Sequence, residues 1–380
     1  MNVYSEELIS EKVGAIGFIT LNRPKALNAL SLPMVRELTH VLVRFESDGE
    51  VLAVVIRGSN KDGPFGAFCA GGDIRYFHQA ALSGDASLED FFTEEYNLNH
   101  IIHSYSKPYI ALMDGIVMGG GMGLSQGIAL RVVTERTQMA MPETQIGLFP
   151  DVGGGYFLSR CPGNTGEYLA LTGQLLRGAE SLAVGLADVC MDSNALTALW
   201  DGLQSKQWKD GKDVVAWVKE HASIHAVANS LTKPVWWDAR IDTLFRLPTV
   251  HDMVEALGLL VSKEPEGWAA DTLKALRQRS PLLLAVSLEQ IRRGRTMGLS
   301  DELRMERDMV RHCFHADHLS RRGAQTDTAE GIRALVIDKD RQPKWQPASI
   351  EEITPEMVKP FFQSPWPTAL HPLRHLVDTY

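Results

Sequence analysis

The chain is poor in cysteine, in positive charge and in long apolar runs, and each shortage removes a class of protein. Its 380 residues include 4 cysteines, Cys69, Cys161, Cys190 and Cys313, with no CxxC pair. A disulfide framework and a structural zinc site are therefore not indicated, and a reducing, cytoplasmic compartment is expected. Lys plus Arg number 38 against 47 Asp plus Glu, a formal charge of −9. The basic excess with which a nucleic-acid binder neutralises phosphates is missing. No run of about 20 uninterrupted apolar residues is present for a membrane span, and Glu6, Glu7 and Glu11 give the N-terminus none of the character of a targeting segment. No nucleic-acid or membrane partner is expected. What is present is an ordinary globular composition, 44% hydrophobic and 22% charged, long enough to bury a large core without covalent staples.

A β, α, β rhythm opens the chain. Val13 to Leu21 reads as a strand ending at Asn22, Arg23 and Pro24, Leu32 to Phe45 carries apolar residues at helical spacing, and Leu52 to Ile56 is a short, fully apolar strand. A third strand, Tyr109 to Met113, runs through Asp114 and Gly115 into the glycine-rich stretch Val117 to Gly123. From about residue 195 helical periodicity takes over, broken at Pro234, Pro248, Pro265 and Pro281. The reading is an α/β core over residues 1–195 followed by a mainly helical region over 196–380.

Three segments carry the chemistry. FCAGGDI (Phe68 to Ile74) and MGGGMG (Met118 to Gly123) each follow an apolar strand; their glycines permit sharp turns and close approach of a ligand to backbone N–H groups. The third, MPETQIGLFPDVGGGYF (Met141 to Phe157), carries two carboxylates, Glu143 and Asp151, beside Pro142 and Pro150, which rigidify the turns that aim them.

Together with ITLNRPKALNAL (Ile19 to Leu30), these segments resemble the crotonase (enoyl-CoA hydratase/isomerase) superfamily. The resemblance implies a crotonase-like spiral of ββα units with a C-terminal helical region, which completes or covers an acyl-CoA site. It maps two oxyanion-hole amides onto Ala70 and Gly120, with Gly71, Gly72, Asp73 and Gly119 lining the substrate. It places the CoA nucleotide near Arg23, Lys25 and Ala26, with Lys339 or Lys344 as later cations. CoA enters as part of substrate and product, and no separate cofactor or metal is implied. Within the superfamily, the PETQIGLFPDVGGGYF run and EGIRALVIDKDRQPKW (Glu330 to Trp345) are similar to the 3-hydroxyisobutyryl-CoA hydrolase branch. That branch implies Glu143 and Asp151 as the acidic pair and Glu95 as a substrate-pocket residue. Where the hydratases carry a second glutamate, this sequence has Gly123. Glu143 is then either a general base on water or a nucleophile forming a mixed anhydride, and Asp151 either holds the substrate hydroxyl or manages the leaving thiol's proton.

Other signals are weaker. Gly123 to Gly127 matches GxSxG, but Ser125 falls after the glycine loop rather than on a strand-to-helix elbow. His312, Cys313, His315 and His318 lack a clear ligand pattern, and Cys69 reads as a small buried hydrophobe. The alternatives are a hydratase or isomerase and a non-catalytic, RNA-associated scaffold. A homo-oligomer is possible on the family pattern.

Overall fold

The computed structural model describes residues 6–227, 234 and 236–378. The chain divides into two compact units, each assembled from three separate stretches. The first takes residues 1–72, 97–140 and 175–234, and the second takes 73–96, 141–174 and 235–380.

The first unit is built on a six-stranded sheet ordered β1-β2-β3-β4-β6-β9. Its strands are β1 (Leu8–Val13), β2 (Ile16–Leu21), β3 (Ala53–Gly58), β4 (Tyr109–Met113), β6 (Leu130–Thr134) and β9 (Val189–Met191). β1 and β2 form an antiparallel hairpin pairing Leu8 with Leu21; the other neighbours are parallel. Parallel strands need helices over the sheet, so their sequences are apolar on both faces, and every residue of β2 and β4 is buried. The strand expected over Val13 to Leu21 contains all of β2 but only the last residue of β1, which precedes the turn at Gly14, φ +57°, and is too little buried to show as an apolar run. A smaller sheet, β5 (Ile116–Met118), β7 (Gln138–Ala140) and β8 (Leu176–Arg177) in that order, belongs to the same unit. Thus β4 and β5, then β6 and β7, each place one strand in the large sheet and the next in the small one, which is the expected ββ repeat.

The boundary expected at residue 195 is not observed. Helices Leu196–Ser205 and Gly211–Ile224 bury Leu199, Trp200, Val214 and Val218 against Phe18, Val55, Ile110 and Val132 of the large sheet. Phe18 and Trp200 have ring centroids 4.6 Å apart. A sheet with an uncovered apolar face would be unstable in water, so the chain supplies these helices before it leaves the unit.

The second unit is mainly helical. Helices Pro281–Gly294 and Leu299–Phe314 run through its interior, each with ten or more buried residues. Tyr168 stacks on Trp236 at 5.5 Å and meets Phe245 edge-on at 5.2 Å. No helix among the described residues is long and apolar enough to cross a membrane.

Candidate active site

In the first unit the two glycine loops lie side by side. The Cys69 N–H donates to Ile116 O at 2.9 Å and the Met118 N–H donates to Cys69 O at 3.0 Å. The approach requires glycine: a Cβ on Gly121 would sit 2.4 Å from Cys69 O, and one on Gly71, at φ +102°, 3.2 Å from Met118 O. Gly120 opens the short helix Gly120–Gly123, whose first amides have no acceptor within the helix. Ala70 differs. Its N–H donates to Leu27 O at 3.0 Å, so of the two amides expected to face an oxyanion, that of Ala70 already has a backbone acceptor.

Asn28, which the sequence reading gave no role, holds this arrangement. It is fully buried, and its Nδ2 donates to the carbonyls of Ser59, Ala67 and Phe68 at 2.9 to 3.1 Å. Its φ of +56° is tolerable for asparagine. The signal lay in the NRPKALN string, where Asn28 follows a proline turn. Cys69 is buried with its sulfur 3.2 Å from Asn28 O, in keeping with a packing role. Ser125 Oγ donates to Gly121 O at 2.9 Å and is buried, so the GxSxG match is a helix-turn serine bonded to its own backbone.

Two further residues of the expected site have partners of their own. Arg23 was read as a CoA-binding cation, yet its Nε lies 3.0 Å from Glu7 and its Nη1 donates to Ala29 O; this charge is already paired. Asp73 was read as lining the substrate, but it begins the second unit and its side chain accepts the Tyr76 N–H as the cap of helix Ile74–Ser83. Lys25 and Lys339 are exposed, and Gly72 forms a parallel bridge with Leu30.

The second unit gathers the acids. Glu143 opens a 3-10 turn after Pro142, with 7% of its surface exposed and Oε2 buried without a partner. Asp151 is also buried, and its Oδ2 accepts the Tyr96 hydroxyl at 2.9 Å. Glu95 is 2% exposed, with Oε1 buried and unpartnered. Burial pushes all three carboxyls upward. Glu143 is raised further by Asp151, and Glu95 by Asp151 and Glu143. Asp151 rises to about 7, with the Tyr96 hydrogen bond pulling against burial. Carboxyls that interact inside a low-dielectric site cannot all ionise at neutral pH, so protons are retained among them. Negative charge is easiest to hold on Asp151, which has a donor.

A brace lies behind Asp151. Glu306 accepts the N–H of Gly153 at 2.8 Å and of Gly155 at 3.2 Å. Gln290 Nε2 donates to Pro150 O at 2.7 Å and to Glu306 at 2.9 Å. Glu302 and Glu306 are both fully buried, and burial raises both, Glu302 to about 7. A proton held between them avoids two adjacent buried charges. The loop they grip has Val152 at φ +56° and Gly153 at φ +85°, left-handed backbone that has to be held from outside. The sequence hint was the i, i+4 spacing of Glu302 and Glu306 in a helix that reads as charged.

The histidine cluster resolves into surface contacts. His312 Nε2 and His318 Nε2 donate to the carbonyls of Gln363 and Met357 at 2.9 and 3.1 Å.

Comparison with known proteins follows the same motifs. The profile described as enoyl-CoA hydratase/isomerase matches residues 16–362. The mitochondrial 3-hydroxyisobutyryl-CoA hydrolase of Rattus norvegicus is 39% identical over 94% of this chain and 89% of its own. The probable 3-hydroxyisobutyryl-CoA hydrolase 3 of Arabidopsis thaliana is 40% identical over 94% and 92%. Among solved structures, a carnitinyl-CoA dehydratase from Mycobacterium thermoresistibile superposes with a TM-score of 0.80 at 34% identity, covering 94% of this chain and 96% of that one. An enoyl-CoA hydratase from Rhodobacter sphaeroides gives 0.77 at 34% identity, with 94% and 98% covered.

Proposed function

The chain belongs to the enoyl-CoA hydratase/isomerase family, and from that premise we propose that it hydrolyses a short 3-hydroxyacyl-CoA thioester, 3-hydroxyisobutyryl-CoA above others, to the free hydroxy acid and CoA, a step of valine breakdown. The observation that carries this reading is the set of three mutually interacting buried carboxyls, Glu95, Glu143 and Asp151, with a single hydroxyl donor, Tyr96, on Asp151.

Glu143 and Asp151 hold one proton between them in the reactive state. At rest the charge lies on Asp151 and the proton on Glu143; once that proton has passed to Asp151, the charged Glu143 takes a proton from water as the water oxygen bonds to the thioester carbon. The carbonyl oxygen becomes an oxyanion, for which the Gly120 amide, joined by that of Ala70, is the proposed donor. Each such donor is worth about 3 kcal/mol in other enzymes. When the C–S bond breaks, Asp151 gives its proton to the departing thiolate. Glu143 is then protonated and Asp151 ionised, and the Tyr96 hydroxyl stabilises that charge. Glu95 is assigned to the substrate's 3-hydroxyl, because an unpaired buried carboxyl oxygen rejects an acyl chain that cannot hydrogen-bond to it.

The dehydratase and hydratase names of the two solved structures support a second reading, hydration of an enoyl-CoA. Gly123, with no side chain at the position where the resemblance implies a second glutamate, favours hydrolysis. Thiol release from 3-hydroxyisobutyryl-CoA, measured beside hydration of crotonyl-CoA, tests both. Hydration without thiol release would overturn the proposal. A single turnover in ¹⁸O-water separates the two chemical routes: label appearing in Glu143 rather than in the acid would make Glu143 the nucleophile.

A further inference from the structure

The second unit contains a cavity of about 530 Å³ on which Arg277, Arg279, Arg341, Gln145 and Trp345 converge, and no acidic side chain lines it. In a chain of net charge −9 that is an unusual concentration of one sign. Arg277 and Arg279 flank Gln278 at the end of helix Trp268–Gln278. The Trp345 indole N–H donates to Gln278 O at 3.2 Å and ties this turn to the segment carrying Arg341. Arg341 is itself fixed by its own N–H, which donates to Ala334 O at 3.0 Å, in a left-handed conformation at φ +56°.

The cations differ in how they are balanced. Arg277 reaches Glu351 with both terminal nitrogens at 3.1 Å. Arg279 donates only to a neutral carbonyl, Thr172 O at 2.6 Å, and its Nε is buried without a partner. Burial alone pushes its pKa down, with no carboxylate nearby to oppose it. The Arg341 side chain has no hydrogen-bond or ion-pair partner among the described residues. Arg341 is exposed, whereas a partly buried guanidinium without a counter-ion, as at Arg279, is costly; a planar fork of N–H donors suits phosphate oxygens. The volume lies in the range of small-molecule pockets, roughly 300–1,000 Å³.

We propose that this cavity is a binding site for an organic phosphate of nucleotide size, its phosphate held by Arg279 and Arg341. The site is independent of the thioester chemistry, and its occupant would rest against Gln145, in the turn that also carries Glu143.

Isothermal titration calorimetry on the full chain, with ADP and separately with inorganic phosphate as probes, tests the assignment. One ADP per chain is expected, bound more tightly than inorganic phosphate and more weakly as salt rises. Arg341→Ala removes an exposed side chain that bonds to nothing among the described residues, so it should leave the thermal transition in place and raise the ADP dissociation constant about tenfold. Arg279→Lys keeps the charge, loses the fork and should weaken ADP comparably. No saturable ADP binding, equal affinity for ADP and phosphate, or an unchanged affinity in Arg341→Ala would each overturn the proposal. The last result, with ADP displaced by CoA, would place the nucleotide in a CoA site instead.

Discussion

The two units bury different things. The first hides an apolar sheet face under helices, with Phe18, Trp200 and their neighbours filling the space. The second hides Glu95, Glu143, Asp151, Glu302 and Glu306, and several of their oxygens are unpartnered. Apolar burial stabilises at roughly 25 cal/mol per Å², whereas a buried carboxyl without a donor is a net cost. The contrast separates packing that maintains the fold from polar groups retained at a cost for another purpose.

Substitution should therefore act in opposite directions on the two sides. Phe18→Ala should lower stability by about 3–5 kcal/mol, read as a lower denaturant midpoint, with kcat of the remaining folded protein little changed. Glu143→Gln should do the reverse: thiol release falls by about 10²- to 10⁴-fold while the melting temperature holds or rises. A melting temperature that falls with Glu143→Gln would erase the distinction.

Gly121→Ala probes the point where packing and chemistry meet. Its Cβ would lie 2.4 Å from Cys69 O, so a cost of about 1–3 kcal/mol is expected, together with a drop in kcat as the Gly120 amide moves. Glu306→Gln sharpens the comparison within the second unit, because its NH₂ would face the Gly153 or Gly155 N–H that Glu306 now accepts. A kcat loss of about tenfold to a hundredfold, larger than any change in KM, is expected from a shifted Asp151 loop.

A further effect is one of pH. Asp151 and Glu302 are raised to about 7 in the folded chain, above ordinary unfolded values of roughly 4. The folded state thus binds more protons across that interval, and stability present at low pH is lost as pH rises through 7. The melting temperature should fall between pH 5 and pH 8, and Glu302→Gln should flatten that fall.

Much of this arrangement was legible in the sequence, and the remainder has a common cause. The glycine loops, Glu143 and Asp151 stand in short contiguous motifs whose residue types have few other uses. Tyr96 reaches Asp151 across 55 positions and Glu306 reaches Gly153 across 153, and no local pattern encodes such partners. Arg23 and Asp73 show the converse. Each has the right type in the right motif, but a partner close in space, Glu7 or the Tyr76 N–H, uses the charge. The division expected at residue 195 followed the change to helical periodicity, whereas the helices just beyond it are needed by the first sheet.

The interleaving of the two units constrains how the chain can be made. The polypeptide passes between them after residues 72, 96, 140, 174 and 234, so neither is finished when its first stretch has been synthesised. Strand β9 and the two helices after it must arrive before the large sheet is closed. Until then the apolar faces of strands synthesised much earlier stand open, a topology of distant pairings that slows folding and favours aggregation of incomplete chains. A nascent chain stopped at residue 195 would carry every strand of that sheet and still lack its cover.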